Sequence, residues 1–466
     1  MLQSDAPYAD QSAFLAEPGA SWAQEIRATV LLAWPLVIAQ LATMALHTTD
    51  VIMMGWLGPQ YLAGGTLAMA YLYPFLMFGF GVLIAVSPMV AQAIGARQYR
   101  SVRRTTRQGL WVSLVLAAIT IPLVLQAEWI FLKLGQEPSN AALAQSYLNY
   151  AVWLFIPALA FGVLRGLVSA HGHTGIILWI TIAGIFVNAA GNYVLMFGNF
   201  GFPRLELRGA GITTAFVNAA MVALLLLYVV THRRLKRYAI LVRFWKPDWP
   251  RFLAILRLGS PIGLMMTAEV GLFTAAAMLM GLLGTDELAA HAIAVQLAAI
   301  AFMVPLGISQ ATTIRVGLAY GRRHKADIGK AGWVSIGLAT GFMISTCLLF
   351  WLVPELLIHR FLDPMRPENT RAIQLAIGYL GIAALFQLVD GAQVAAGAAL
   401  RGLSDTAVPM VIAVIGYWAF GLPIAWYLGF SAGMEGTGIW FGLAAGLAFV
   451  AVILIGRFAL RERHGL

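Results

Sequence analysis

The chain has 466 residues, of which 60% are hydrophobic and only 11% charged, with a net charge of +10. A soluble globular chain carries about 25% charged residues, so the deficit excludes an ordinary soluble domain and points to an all-α polytopic membrane protein. Cys347 is the only cysteine, which excludes a disulfide framework and a cysteine metal site.

Met1 to Trp22 is polar and carries Asp5, Asp10 and Glu17. It lacks the basic start and apolar core of a signal peptide, so the first helix is expected to direct insertion. A spanning helix needs about 20 mostly apolar residues. Twelve stretches meet that rule. The first six cover roughly 28–57, 62–90, 109–132, 146–168, 176–198 and 210–231. The second six cover roughly 259–284, 288–314, 331–354, 373–399, 408–430 and 437–457. Short turns such as Gly58-Pro59, Gly135 to Asn140 and Gly201 to Pro203 separate them.

Basic residues set the orientation. With the N-terminus inside, Arg97 to Arg107, the segment from Arg233 to Arg257, and Arg315 to Lys330 all fall in cytoplasmic loops. Together with Arg27, Arg165, Arg401, Arg457, Arg461 and Arg463 they place 24 of the 30 Lys and Arg residues inside. Lys133, Arg204, Arg208, Arg360, Arg366 and Arg371 fall outside. Both termini are therefore expected in the cytoplasm. The positive charge is explained by topology and by attraction to anionic lipid, and no nucleic-acid partner is expected.

The longest polar interruption, Thr231 to about Arg257, divides the helices six and six. Residues 35–100 align on 261–326 at a constant offset of 226. Pro35 falls on Pro261, Gly55 on Gly281, Gly81 on Gly307 and Gly95 on Gly321. Leu164-Arg165-Gly166 recurs as Leu400-Arg401-Gly402 at a slightly longer offset. The chain is thus expected to hold a tail (1–24), an N-lobe (25–231), a linker (232–257), a C-lobe (258–457) and a second tail (458–466). Six helices per repeat insert both copies the same way round, giving two six-helix bundles related by a pseudo-twofold axis along the membrane normal. That is a transporter layout.

Of the twenty acidic residues, only Asp50, Glu269 and Asp390 lie well inside predicted helices. An ionised side chain at a helix centre costs at least ~2.5–3.5 kcal/mol, so such groups usually face a cavity and have a function. The bland alternative is a protonated carboxyl held by one interhelical hydrogen bond. Glu269 lies twelve residues past Arg257 and Asp390 eleven before Arg401. At ~1.5 Å per residue they share a depth and could form one site. Asp50 aligns with Ala276 and Glu269 with Thr43, so the repeats place their acids at different levels. Asn188 and Asn192, one turn apart, match Asp50 in depth. An acid with two amide oxygens suits a hard cation or a proton relay, while interhelical hydrogen bonding is the plainer reading of the pair.

His47 lies near the Asp50 face, where a packing role is the simpler reading. Gln296, Gln310, Gln387 and Gln393 could line a cleft or serve as helix glue. Met53, Met54, Met265, Met266, Met278 and Met280 flank the acid-bearing helices. Flexible sulfur side chains suit a surface that accepts many ligands, although methionine at helical spacing is more often core or lipid-facing. Met53, Met54, Met265, Gln296 and Phe386 are the candidate substrate contacts. Pro35, Pro74 and Pro261 are candidate kinks. No phosphate-binding glycine loop and no catalytic constellation appears, and His171 and His173 sit in a turn without a metal partner, so neither an enzyme nor a bound cofactor is expected.

TTDVIMMGWLG around Asp50 and PMVAQAIGARQYRSVRR after the second helix resemble the multidrug and toxic compound extrusion family. AEVGLFTAAAMLMGLLG around Glu269 and VDGAQVAAGAALRGLSDTAVP around Asp390 are similar to its bacterial NorM-type branch. The resemblance covers about residues 25–457. It implies a monomer in a bacterial inner membrane that exports small organic cations (drugs, dyes) against inward Na⁺ or H⁺ by rocker-switch alternation. It further implies a cation site at Asp50, Asn188 and Asn192, with Thr213 or Thr214, and a second at Glu269 and Asp390. In the family pattern a tyrosine stands one turn before the helix-ten acid; here that position is Phe386, which leaves the coupling ion open. A lipid-linked-precursor flippase would need basic groups in the cleft. A membrane enzyme would need reactive residues clustered near the headgroups.

Overall fold

A computed structural model describes residues 19–465. The tail expected at 1–24 therefore falls largely outside the described residues. Twelve helices are long and apolar enough to cross a membrane. We number them α1 (Trp22–Leu57), α2 (Pro59–Gly95), α3 (Tyr99–Val124), α4 (Pro138–Ala170), α5 (Thr174–Leu195) and α6 (Leu207–Thr231). The second six are α7 (Trp249–Leu283), α8 (Thr285–Gly321), α9 (Lys325–Leu352), α10 (Pro367–Gly402), α11 (Ala407–Ser431) and α12 (Glu435–Ala459). Burial follows a lipid solvent rather than water. Trp179, Phe186, Phe216 and Val452 are exposed, while Asp50, Asn188, Asn192 and Gln387 are buried.

The largest departure from expectation is α3, which starts ten and ends eight residues earlier than the hydropathy run at 109–132 suggests, a shift of roughly one leaflet at ~1.5 Å per residue. Arg100, Arg103, Arg104 and Arg107 are helical rather than looped. Hydropathy counts apolar residues whatever direction the chain takes. It ran past the turn at Leu125-Gln126 into a separate short helix, Ala127–Lys133. Likewise α7 and α9 begin several residues earlier than their apolar runs, because arginine and lysine stems lie along helix surfaces while their heads reach polar partners. In α11 the ordinary winding gives way to wider π turns at Ile415–Gly421 and again at Tyr427–Ser431.

Two compact units account for the chain. One comprises Ile38–Gly263; the other runs up to Val37 and resumes at Leu264. The division falls inside α1 and inside α7, so each of these helices begins in one unit and ends in the other. The polar segment after α6 is folded onto its own unit rather than loose. Asp248 pairs with Arg104, the Arg107 guanidinium donates to the Arg243 carbonyl at 3.0 Å, and the Trp111 indole donates to the Phe244 carbonyl at 2.8 Å. The start of α1 is fastened in the same manner within the other unit. Glu25 takes Arg315 bidentately, with Nε to Oε1 at 2.9 Å, and Lys330 donates to the Ala20 carbonyl at 2.8 Å.

The duplication is visible in the packing. A Cβ added at Gly81 would lie 2.7 Å from the Gly263 backbone nitrogen, and one added at Gly307 would lie 2.7 Å from the Val37 nitrogen. These four positions correspond at the 226-residue offset. Glycine recurs at 81 and 307 because a neighbouring backbone passes too close for a side chain. Pro35 and Pro261 sit within continuous helices just before those contacts. Membrane helices tolerate proline because neighbours re-satisfy the freed carbonyl.

Candidate functional site

In the N-lobe unit, α1 and α5 bring the expected trio together. Asn192 Nδ2 donates to Asp50 Oδ1 at 2.7 Å and lies 3.3 Å from Asn188 Oδ1. The two asparagines share a face because they are one turn apart. Thr214 borders the same carboxylate, while its hydroxyl back-bonds to the Ala210 carbonyl at 2.9 Å; Thr213 does likewise to Gly209. Asp50 Oδ2 and Asn192 Oδ1 are buried and have no protein donor. Two unpartnered oxygens in a dry interior are costly unless a cation, a proton or water satisfies them. Tyr147 of α4 is also buried here, within electrostatic reach of Asp50.

The C-lobe unit carries the other two acids. Glu269 of α7 is half-buried and Asp390 of α10 is buried, and each carboxylate lies within electrostatic reach of the other. Asp390 Oδ1 has no hydrogen-bond partner. Gln393, one turn further along α10, donates through Nε2 to the hydroxyl of the fully buried Tyr417 on α11, and its own Oε1 is unpartnered. The buried Arg401, further along α10, is a base within electrostatic reach of Glu269. Two acids beside one such base keep a net negative charge when ionised, so the pair is suited to holding one further positive charge, a proton or a metal cation.

The remaining candidates are more scattered. Met53 and Met54 are buried, with Met54 filling the space beside Gly65 of α2. Met265 is buried and Gln296 is exposed. Phe386 packs edge-on against Phe273 and Trp440, at ring-centroid distances of 6.0 and 5.9 Å. Gln387 acts as helix glue, accepting from Thr346 at 2.9 Å. His47 is exposed. Among the described residues no group of three or more His, Cys, Asp and Glu side chains is placed to hold a metal ion, so any ion must be shared with amide, hydroxyl or carbonyl oxygens. Tyr147 and Tyr417 were not singled out by the sequence reading. A tyrosine inside an apolar helix has no distinguishing spacing; only the depth of the neighbouring acids could have flagged them.

Twelve spanning helices duplicated six and six, with carboxylates held inside each unit, define a secondary transporter of the membrane. The MatE family model matches twice, over residues 35–194 and 261–427, and the two matches begin at the 226-residue repeat offset. A "probable multidrug resistance protein NorM" of Mesorhizobium japonicum is 47% identical over 445 residues, covering 95% of each chain. The protein of the same description from Agrobacterium fabrum is 45% identical, covering 94% of this chain and 95% of its own. The crystal structure of a Vibrio cholerae MATE transporter superposes with a TM-score of 0.85 at 17% identity, covering 95% of this chain and 98% of that one, and so shares the fold. The chain belongs to the MatE family, in its NorM-type branch.

Proposed function

We propose that the protein expels small organic cations, drugs and dyes among them, in exchange for inward-moving Na⁺ or H⁺, with alternating access carried by its two lobes. The observation that carries the reading is the set of three carboxylates inside spanning helices, each facing unpartnered oxygens or another acid, with Arg401 within electrostatic reach of Glu269 and too little positive charge there to balance both C-lobe acids. Such a group favours a cation from either side. An organic cation and a coupling ion compete for the same negative charge, and this competition is what exchange requires. The relatives described as multidrug resistance proteins support the substrate class. In this reading Asp50, Asn188 and Asn192 serve one cation site, and Glu269 with Asp390 serve the other. The lobes and linker follow the repeat, at 25–231, 232–257 and 258–457. The basic loops face the cytoplasm with both termini, the chain works as a monomer in a bacterial inner membrane, and Met53, Met54, Met265, Gln296 and Phe386 remain the substrate-contact candidates.

The test is ethidium efflux from cells lacking their own pumps. Glu269→Gln and Asp390→Asn are each expected to abolish efflux while membrane expression is kept. Wild-type efflux by both variants would sink the assignment of the acids.

A further inference from the structure

The C-lobe acids have neighbours that the sequence did not suggest. Helix α11 winds in wide π turns over Ile415–Gly421, and Tyr417 lies within that stretch. Such turns insert one extra residue and re-aim the side chains around them, and they recur at functional sites. The stretch packs closely against α12. Gly421 of α11 lies so near Gly446 of α12 that a Cβ on Gly421 would be 3.1 Å from the Gly446 Cα. Ile415 and Trp418 remain exposed, whereas Tyr417 is fully buried.

Once inside, the phenol is held by a single named donor. Gln393 Nε2 donates to Tyr417 Oη, and Glu269 and Asp390 both lie within electrostatic reach of that hydroxyl. Gln393 Oε1 and Asp390 Oδ1 are buried, one turn apart on the same face of α10, and neither has a donor. Phe386, one turn before Asp390, offers no oxygen. We propose that Tyr417 and Gln393 complete the C-lobe cation site: the Tyr417 hydroxyl and the Gln393 amide oxygen join Glu269 and Asp390 as an all-oxygen set for the coupling cation, and the Gln393 amide nitrogen fixes the phenol in place. Oxygen donors of mixed charge suit a hard cation. A proton shared among the same oxygens uses the same chemistry, so the experiment carries an arm for each. The inference rests on the reading of Glu269 and Asp390 as coupling groups.

The experiment uses the full-length protein in proteoliposomes. Ethidium transport is measured against an imposed Na⁺ gradient at fixed pH and against a pH gradient without Na⁺. In the arm that drives the wild type, Tyr417→Phe raises the half-saturating coupling-ion concentration at least tenfold, with the ethidium KM changed less than twofold. Gln393→Leu leaves the phenol in place but removes its anchor, and shifts the same quantity in the same direction. The two substitutions together do no more than the larger alone, since they disrupt one unit. Adding Phe386→Tyr to Tyr417→Phe returns a phenol to the site from α10 and recovers most of the loss, an effect that a merely structural role for Tyr417 would not give. Wild-type ion dependence in both single variants overturns the inference, as does full additivity of the two. Should Glu269→Gln and Asp390→Asn also keep wild-type ion dependence, the fault lies in the reading of the acids. Should those two lose coupling while Tyr417→Phe and Gln393→Leu keep it, only the enlarged site is wrong.

Discussion

Asn192→Ala is the sharpest perturbation of the N-lobe site. Its amide nitrogen is 2.7 Å from Asp50 Oδ1, and both side chains are buried. A hydrogen bond to a charged group contributes about 1.5–3 kcal/mol. Asp50 Oδ2 already has no partner, so the variant takes away the carboxylate's closest donor and leaves only the weaker Asn188 and Thr214 contacts. At 1.4 kcal/mol per tenfold, the loss corresponds to a factor of about 10 to 150 in any equilibrium that requires an ionised, positioned Asp50. The assay is the initial rate of ethidium transport in proteoliposomes as the driving ion gradient is varied. The variant is expected to need at least ~10-fold more coupling ion for half-maximal rate, with normal expression and a monodisperse purified protein. Asn188→Ala removes the acceptor 3.3 Å from Asn192 and is expected to shift the same curve less, by about 0.5–1.5 kcal/mol. An Asn192→Ala protein with the wild-type curve would refute the reasoning, because the donor would then do nothing for Asp50 that matters to transport.

Other expectations concern the scaffold. Burial pushes His171 and His173 down to about 4, with the neighbouring cationic groups adding to it, and lowers His232 as well. Between pH 6.5 and about 4 the unfolded segment therefore binds more protons than the docked one, so docking stability falls as pH falls through that window and is unaffected by these groups above it. Limited proteolysis between Leu235 and Lys246 should accelerate as pH drops from 6.5 towards 4, and an equal cleavage rate across that range would contradict the account. Gly81→Val drives a side chain into the Gly263 backbone, and Gly307→Val does the same at Val37. Each is expected to destabilise by about 1–3 kcal/mol, visible as a lower melting temperature, unlike Gly175→Val, which meets open space. Glu25→Ala removes the carboxylate from a buried pair with Arg315 and is expected to cost about 3–5 kcal/mol in thermal or denaturant unfolding.

Much of this was legible in the sequence because a membrane imposes strong rules. Apolar length gave all twelve spans, and the rarity of acids at depth isolated Asp50, Glu269 and Asp390. The one-turn spacing of Asn188 and Asn192 then predicted partners for Asp50, and Asn192 does hydrogen-bond it. The repeat pointed to Gly81 and Gly307 before the reason for glycine there was visible. The parts that stayed hidden depend on helix rotation and on polar ends. Tyr417 is buried within the π-wound stretch of α11 that packs against Gly446, a tertiary feature without a sequence period. The arginines in the first turns of α3 look like a loop by hydropathy, yet they are helical, and Asp248 and the Arg243 and Phe244 carbonyls receive them or their neighbours. The division at residues 37/38 and 263/264 likewise comes from packing inside helices that are continuous in sequence.

The most direct test of the central claim, that embedded acids couple drug movement to an ion, is ethidium transport in sealed vesicles under separately imposed Na⁺ and proton gradients. The wild type is expected to move ethidium against its own gradient under at least one of them, and Asp390→Asn under neither. Ethidium accumulation by Asp390→Asn equal to wild type, or by the wild type with no ion gradient imposed, would contradict the claim.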